Sequence, residues 1–105
     1  MTAYLIAEVV VVDQEAWRQY GELAAPAIAK YGGTYLVRRM QPEVIEGDWA
    51  PPSADRNEVI VAEFPNLDSL HTWYRSPEYA KALACRKAAV RRRLLFVRGV
   101  DEPDG

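Results

Sequence analysis

The chain has 105 residues, a length that suits one domain and leaves little room for a second. Half of them are hydrophobic and the formal net charge is −2, so bulk charge gives no footing for nucleic acid or an anionic membrane, and no apolar run reaches the ~18 residues of a membrane span. The one cysteine, Cys85, excludes an intramolecular disulfide and fits a reducing, cytoplasmic setting.

Ala3 to Val12 reads as a strand. Leu5, Ala7, Val9 and Val11 make one face wholly apolar, and Glu8 lies on the other. The run lacks the basic flank and cleavage site of a secretion signal. Asp13 is placed to cap a helix on which Trp17, Tyr20, Ala24, Ala27, Ile28 and Tyr31 recur at helical spacing. Pro26 should kink or split that helix near Ala25, and Gly32-Gly33 should end it. Thr34 to Met40 is the second strand. Residues 47–57 form a Pro/Gly/Asp-rich loop with Trp49 as its only large apolar residue, and Glu58 to Phe64 is the third strand. Asn66 or Asp68 caps a short helix carrying Leu67, Leu70, Trp73 and Tyr74. Ser76-Pro77-Glu78 then starts another, because Ser76 offers a capping hydroxyl and Pro77 lacks an N–H that would go unpaired there. That helix should run to about Val90. Arg93 to Val100 is the last strand, and 101–105 an acidic, frayed tail.

The order β-α-β-β-α-β predicts an α+β, ferredoxin-like domain over residues 1–100. Its four-stranded antiparallel sheet has the order 4-1-3-2, with the helices on one face. Strands one, three and four are largely apolar on both faces, where a sheet with one wet face should alternate. A second copy packed sheet to sheet would cover the bare face, so a homodimer is expected. The face away from the helices should carry Glu8, Glu63, Arg38 and Arg98, forming a charged row that reads plus, minus, minus, plus in the order Arg98, Glu8, Glu63, Arg38.

Several blocks together resemble a known family: Tyr31-Gly32-Gly33-Thr34-Tyr35-Leu36-Val37-Arg38, Glu46-Gly47-Asp48-Trp49, Glu63-Phe64-Pro65, Trp73-Tyr74-Arg75-Ser76-Pro77-Glu78-Tyr79, and Arg86. They resemble a family of small proteins, a domain of unknown function, within the dimeric α+β barrel superfamily. The likeness runs from about Ala3 to Val100. It implies a ferredoxin-like homodimer with a cavity between sheet and helices, and it implies no reaction. The superfamily includes cofactor-free monooxygenases, haem-degrading enzymes, lactone isomerases and proteins without known chemistry, so fold does not decide function. Arg39-Met40 stands where many relatives have small residues, which leaves the turn after the second strand open.

Two groups of side chains carry candidate chemistry. Glu63 and Glu8 are candidate bases and Arg38 a holder of a substrate carboxylate or enolate; the structural alternative is a salt-bridged polar layer. Trp49, Trp73, Tyr74 and Tyr79 are candidate walls of a small-molecule pocket, with good core as their alternative. Arg86 lies on the sheet-facing side of its helix, belongs to the resemblance, and could pair with Glu46 or Glu78. Ser76 reads as a cap rather than a nucleophile, since no histidine stands in register to activate it. His71 reads as a solvated helix residue, and no His or Cys spacing points to a metal. The basic stretch of Arg86, Lys87, Arg91, Arg92, Arg93 and Arg98 reads as cations at a helix C-terminus rather than as an RNA surface. The expected function is therefore small-molecule binding, or an enzyme working without a bound cofactor by proton transfer, isomerisation or monooxygenation. The alternative is a non-catalytic homodimeric module.

Overall fold

A computed structural model of the protein describes residues 1–47 and 57–100. Trp49 and the tail lie outside the described residues. The elements are β1 (Ala3–Val11), α1 (Gln14–Lys30), β2 (Thr34–Met40), β3 (Asn57–Phe64), α2 (Leu67–Tyr74), α3 (Pro77–Ala89) and β4 (Val90–Arg98). The sheet has the order β2-β3-β1-β4 and is antiparallel throughout, the ferredoxin-like α+β arrangement that the element order predicts.

Local signals set the helix ends. Asp13 Oδ1 accepts the Ala16 N–H at 3.1 Å and starts α1. At the other end Gly32 takes φ +91°, and Gly32 and Gly33 donate to the carbonyls of Ala29 and Ile28 at 3.2 and 2.8 Å. This left-handed closure satisfies carbonyls that the helix leaves open. α1 runs through Pro26 as one helix rather than splitting. Pro26 lies on the exposed side, so the carbonyl deprived of its partner meets water instead of the core. Asn66, not Asp68, caps α2, in a reciprocal box with Ser69. Ser76 Oγ accepts the Tyr79 N–H at 3.1 Å, and Pro77 opens α3.

The core lies between the sheet and the helices. Ala3, Leu5, Ala7 and Val9 of β1 and Ile60, Ala62 and Phe64 of β3 meet Trp17, Tyr20, Ala24, Ala27 and Ile28 of α1, Leu70 and Trp73 of α2, and Tyr79 and Ala82 of α3. The apolar residues assigned to that face on β1 and β3 thus pack on the helices, as their pattern predicts, but the same face also carries Glu58, Arg92 and Arg98.

The opposite face has a different register from the one expected. Three rows cross it: Arg93, Glu8, Val59 and Met40; then Leu95, Ile6, Val61 and Val37; then Val97, Tyr4, Glu63 and Thr34. Glu8 and Glu63 share the face but stand four residues apart along the strands, about 13 Å. The expected row of Arg98, Glu8, Glu63 and Arg38 is therefore not formed. Glu8 instead pairs with Arg93 at 3.0 Å. Arg98 is opposite Ala3, in the helix-side register. Two irregularities in β2 displace Arg38. Between Val37, opposite Val61, and Met40, opposite Val59, Arg38 and Arg39 share the place facing Ile60.

Candidate functional site

The polar groups of the interior gather on the helix side of the sheet. Glu58 begins the buried parity of β3 and is only 4% exposed. Val9 lies between Glu58 and Arg92 in one row across β3, β1 and β4. Above that row stand Trp17 and Tyr20, stacked at 5.0 Å on successive turns of α1, and Tyr79 from the first turn of α3. Trp17 Nε1 donates to Glu58 Oε1 at 2.8 Å. Arg92 forks between two phenols: Nη1 donates to Tyr20 Oη at 2.9 Å and Nη2 to Tyr79 Oη at 2.6 Å, while the two hydroxyls lie 2.7 Å apart.

Arg39 completes the cluster from the bulge. Its φ of 56° is in the left-handed region, unusual outside glycine. The backbone turn sends its guanidinium under α1, where it lies 3.9 Å from the Trp17 ring and donates to the Trp17 carbonyl at 2.6 Å. Gly21 leaves the room: a Cβ there would sit 2.5 Å from Arg39 Nη2. Burial weakens the hold of Arg39 on its proton, and the Glu58 carboxylate works the other way. Burial, helped by the neighbouring Tyr20, pushes the Tyr79 phenol far above its ordinary range despite the opposing Arg92, so Tyr79 stays neutral at any physiological pH.

The expected site residues divide between two faces. Trp73 and Tyr79 are fully buried, with ring centroids 4.2 Å apart, and Tyr74 flanks them at the surface. Arg86 follows Tyr79 and Ala82 along the inner stripe of α3. Its Nε is buried and without a partner among the described residues, so the expected pairing with Glu46 or Glu78 is not made there; Glu78 instead binds Lys30 and Tyr31. Glu8 and Glu63 face away from the helices. Arg38 lies 4.8 Å over the Tyr35 ring, and the register sets it opposite Ile60 rather than Glu63. Arg91, Arg92 and Arg93 belong to β4 and not to a helix terminus, because α3 ends at Ala89. His71 is half-buried, its ring 5.3 Å from Phe96. Arg92, Glu58, Tyr20 and Arg39 were not among the expected site residues. Counting back in twos from Phe96 and Leu94 reaches Arg92, and from Ala62 and Ile60 reaches Glu58, so alternation carried a signal for both.

An open hollow of about 540 Å³ lies at the α2–α3 corner, lined by Tyr31, Asp68, His71, Thr72, Arg75 and Ser76 among others. Its lining is mostly exposed and its ionisable groups are of both signs. Ser76 Oγ, in its wall, donates to the Trp73 carbonyl at 2.7 Å, so the hollow adjoins the aromatic interior. Among the described residues no group of His, Cys, Asp and Glu could hold a metal, and no helix is long and apolar enough to cross a membrane.

Residues 2–100 match the family described as a domain of unknown function, DUF1330, and the chain belongs to it. No match is found among curated proteins. Solved structures share the fold. The RPA0582 protein of unknown function from Rhodopseudomonas palustris is 23% identical, with a TM-score of 0.74 over 95% of this chain and 83% of that one. SnoaB, a cofactor-independent oxygenase from Streptomyces nogalater, is 11% identical, with a TM-score of 0.67 over 99% of this chain and 98% of that one. A conserved protein of unknown function from Bacteroides thetaiotaomicron VPI-5482, described as a possible oxidoreductase, is 14% identical, with a TM-score of 0.65 over 90% of this chain and 94% of that one.

Proposed function

We propose that this chain is a cytoplasmic, homodimeric, small-molecule-binding protein of the cofactor-independent enzyme type, with its pocket between the sheet and the helices. The observation that carries this reading is the Arg92–Tyr20–Tyr79 cluster. A guanidinium and two phenols in an aromatic core cost stability that apolar residues of the same volume would not, and such groups concentrate where ligands bind. Trp73 and Tyr79 form the pocket wall, Tyr74 its rim, and Arg86 a further donor. Glu58 is the carboxylate that the interior offers for proton transfer, the role expected of Glu63 or Glu8, and Arg92 is the anion holder in place of Arg38. The comparison with SnoaB supports cofactor-free chemistry on this fold at the level of analogy.

The dimer rests on the open face. Its middle row, Leu95, Ile6, Val61 and Val37, is apolar on all four strands, and charged groups flank it. That is the anatomy of an interface, with a dry centre and a polar rim. The same face favours the second reading, a non-catalytic homodimeric module in which Glu8, Arg93 and Glu63 fix register.

A thermal-shift screen against small acids, phenols and their neutral isosteres tests the pocket. A ligand at a hundredfold excess over its Kd adds about 2.7 kcal/mol and raises the melting temperature measurably. The pocket reading requires that such shifts shrink in Arg92→Met and Tyr79→Phe proteins. A screen without a single shift leaves the non-catalytic module as the account.

A further inference from the structure

The charges and donors of the interior specify what kind of molecule it takes. Arg39 has the carboxylate of Glu58 in its cluster, and that charge favours the ionised guanidinium. Arg92 has no carboxylate partner among the described residues: its hydrogen bonds there end on two phenols. Glu58 lies across Val9 from it, two strand spacings or about 10 Å away. Among the described residues this half-buried guanidinium is therefore left without a counter-ion, an arrangement that costs free energy until an anion arrives.

The hydrogen count points the same way. Tyr20 Oη and Tyr79 Oη each accept from Arg92 and lie in hydrogen-bond contact with each other. Two hydroxyl hydrogens serve one bond between them, so among the described residues one O–H remains to be donated. Trp73 is fully buried, and among the described residues neither its Nε1–H nor the Arg86 Nε–H has a partner. All of these are donors. Asn57 Oδ1, also buried without a partner among the described residues, is an acceptor, but Asn57 has the register of the opposite sheet face. A carboxylate accepts at both oxygens and donates nothing, which matches the set. The surroundings are aromatic: Trp73 lies 4.2 Å from Tyr79, 5.8 Å from Phe64 and 6.5 Å from Phe96 between centroids.

We infer that the site beside Arg92 binds a small aromatic carboxylate, its oxygens on Arg92 and the tyrosine hydroxyls and its ring against Trp73. This rests on the proposed pocket and adds the charge and class of its ligand. Calorimetry with benzoate and its neutral isostere benzamide tests it on the full chain. Benzoate is expected to bind at least about tenfold more tightly than benzamide, and Arg92→Met to remove that preference. Arg92→Lys, which keeps the charge but not the fork, serves if the methionine variant fails to fold, and is expected to weaken benzoate while leaving benzamide unchanged. Equal affinity for the two compounds, or undiminished benzoate binding in whichever Arg92 variants fold, overturns the inference and leaves the pocket standing. So does failure of benzoate when neutral compounds bind. Failure of every compound, charged or neutral, overturns both.

Discussion

Ser76 makes two bonds with one hydroxyl, accepting from the Tyr79 N–H and donating to the Trp73 carbonyl, and so ties the end of α2 to the start of α3. Ser76→Ala is expected to cost about 1–2 kcal/mol in chemical denaturation, with Ser76→Thr recovering part of it. Two residues on, Glu78 is held by Lys30 and then by Tyr31, which bring its carboxyl down to about 2 from an ordinary 4.5. A depressed carboxyl stabilises the fold above its unfolded pKa and ceases to do so as pH falls through the folded value. Melting temperatures followed from pH 7 to pH 2 should therefore fall less steeply below pH 5 in Glu78→Gln than in the parent; parallel curves would mean that the pair contributes nothing. The capping role of Ser76 was legible because caps depend on a few neighbours in sequence. Arg39 was not. Its position under α1 comes from a bulge in β2 and the room at Gly21, and neither follows from the residues beside it.

Among the elements, α1 and β4 teach different lessons. Pro26 predicts a kink or a split, and α1 is not split, because Pro26 lies on the wet side while Ala24, Ala27 and Ile28 hold the buried side. Pro26→Ala restores a backbone donor worth more than the chain entropy it releases, so it should stabilise the protein by roughly 2 kcal/mol. Urea titration of the two proteins checks it, and a loss of stability would show that α1 needs the proline. In β4 the boundary mattered. Starting the strand at Arg93 makes Arg92 a helix-terminal cation, whereas the observed start at Val90 makes it an inward strand residue. Strand identity, and the facing of β1 and β3, were readable from alternation; the facing of Arg98 and the register were not. A shift of four residues along β1 and β3 separates Glu8 from Glu63 without changing the face of either.

At the scale of the molecule, one chain leaves an apolar row across its whole sheet, and the pattern of two-faced strands already asked for a second copy. Val61→Glu places a charge in the middle of that row. Light scattering at micromolar concentration is expected to find a dimer for the parent and a monomer for the variant; a monomeric parent would contradict the sheet-to-sheet account. The interior makes the stronger claim, that Arg92, Tyr20, Tyr79 and Trp73 bound a ligand site and are not merely a satisfied core. The indole N–H region of an NMR spectrum reports on it directly, since the chain has three tryptophans and so three such signals. Trp17 Nε1 is already bonded to Glu58, whereas Trp73 Nε1 has no partner among the described residues. Titration with benzoate, or with any compound that raises the melting temperature, should move the Trp73 indole signal most among the interior residues. Compounds that stabilise the protein while that signal stays still would place the ligand elsewhere and contradict the account.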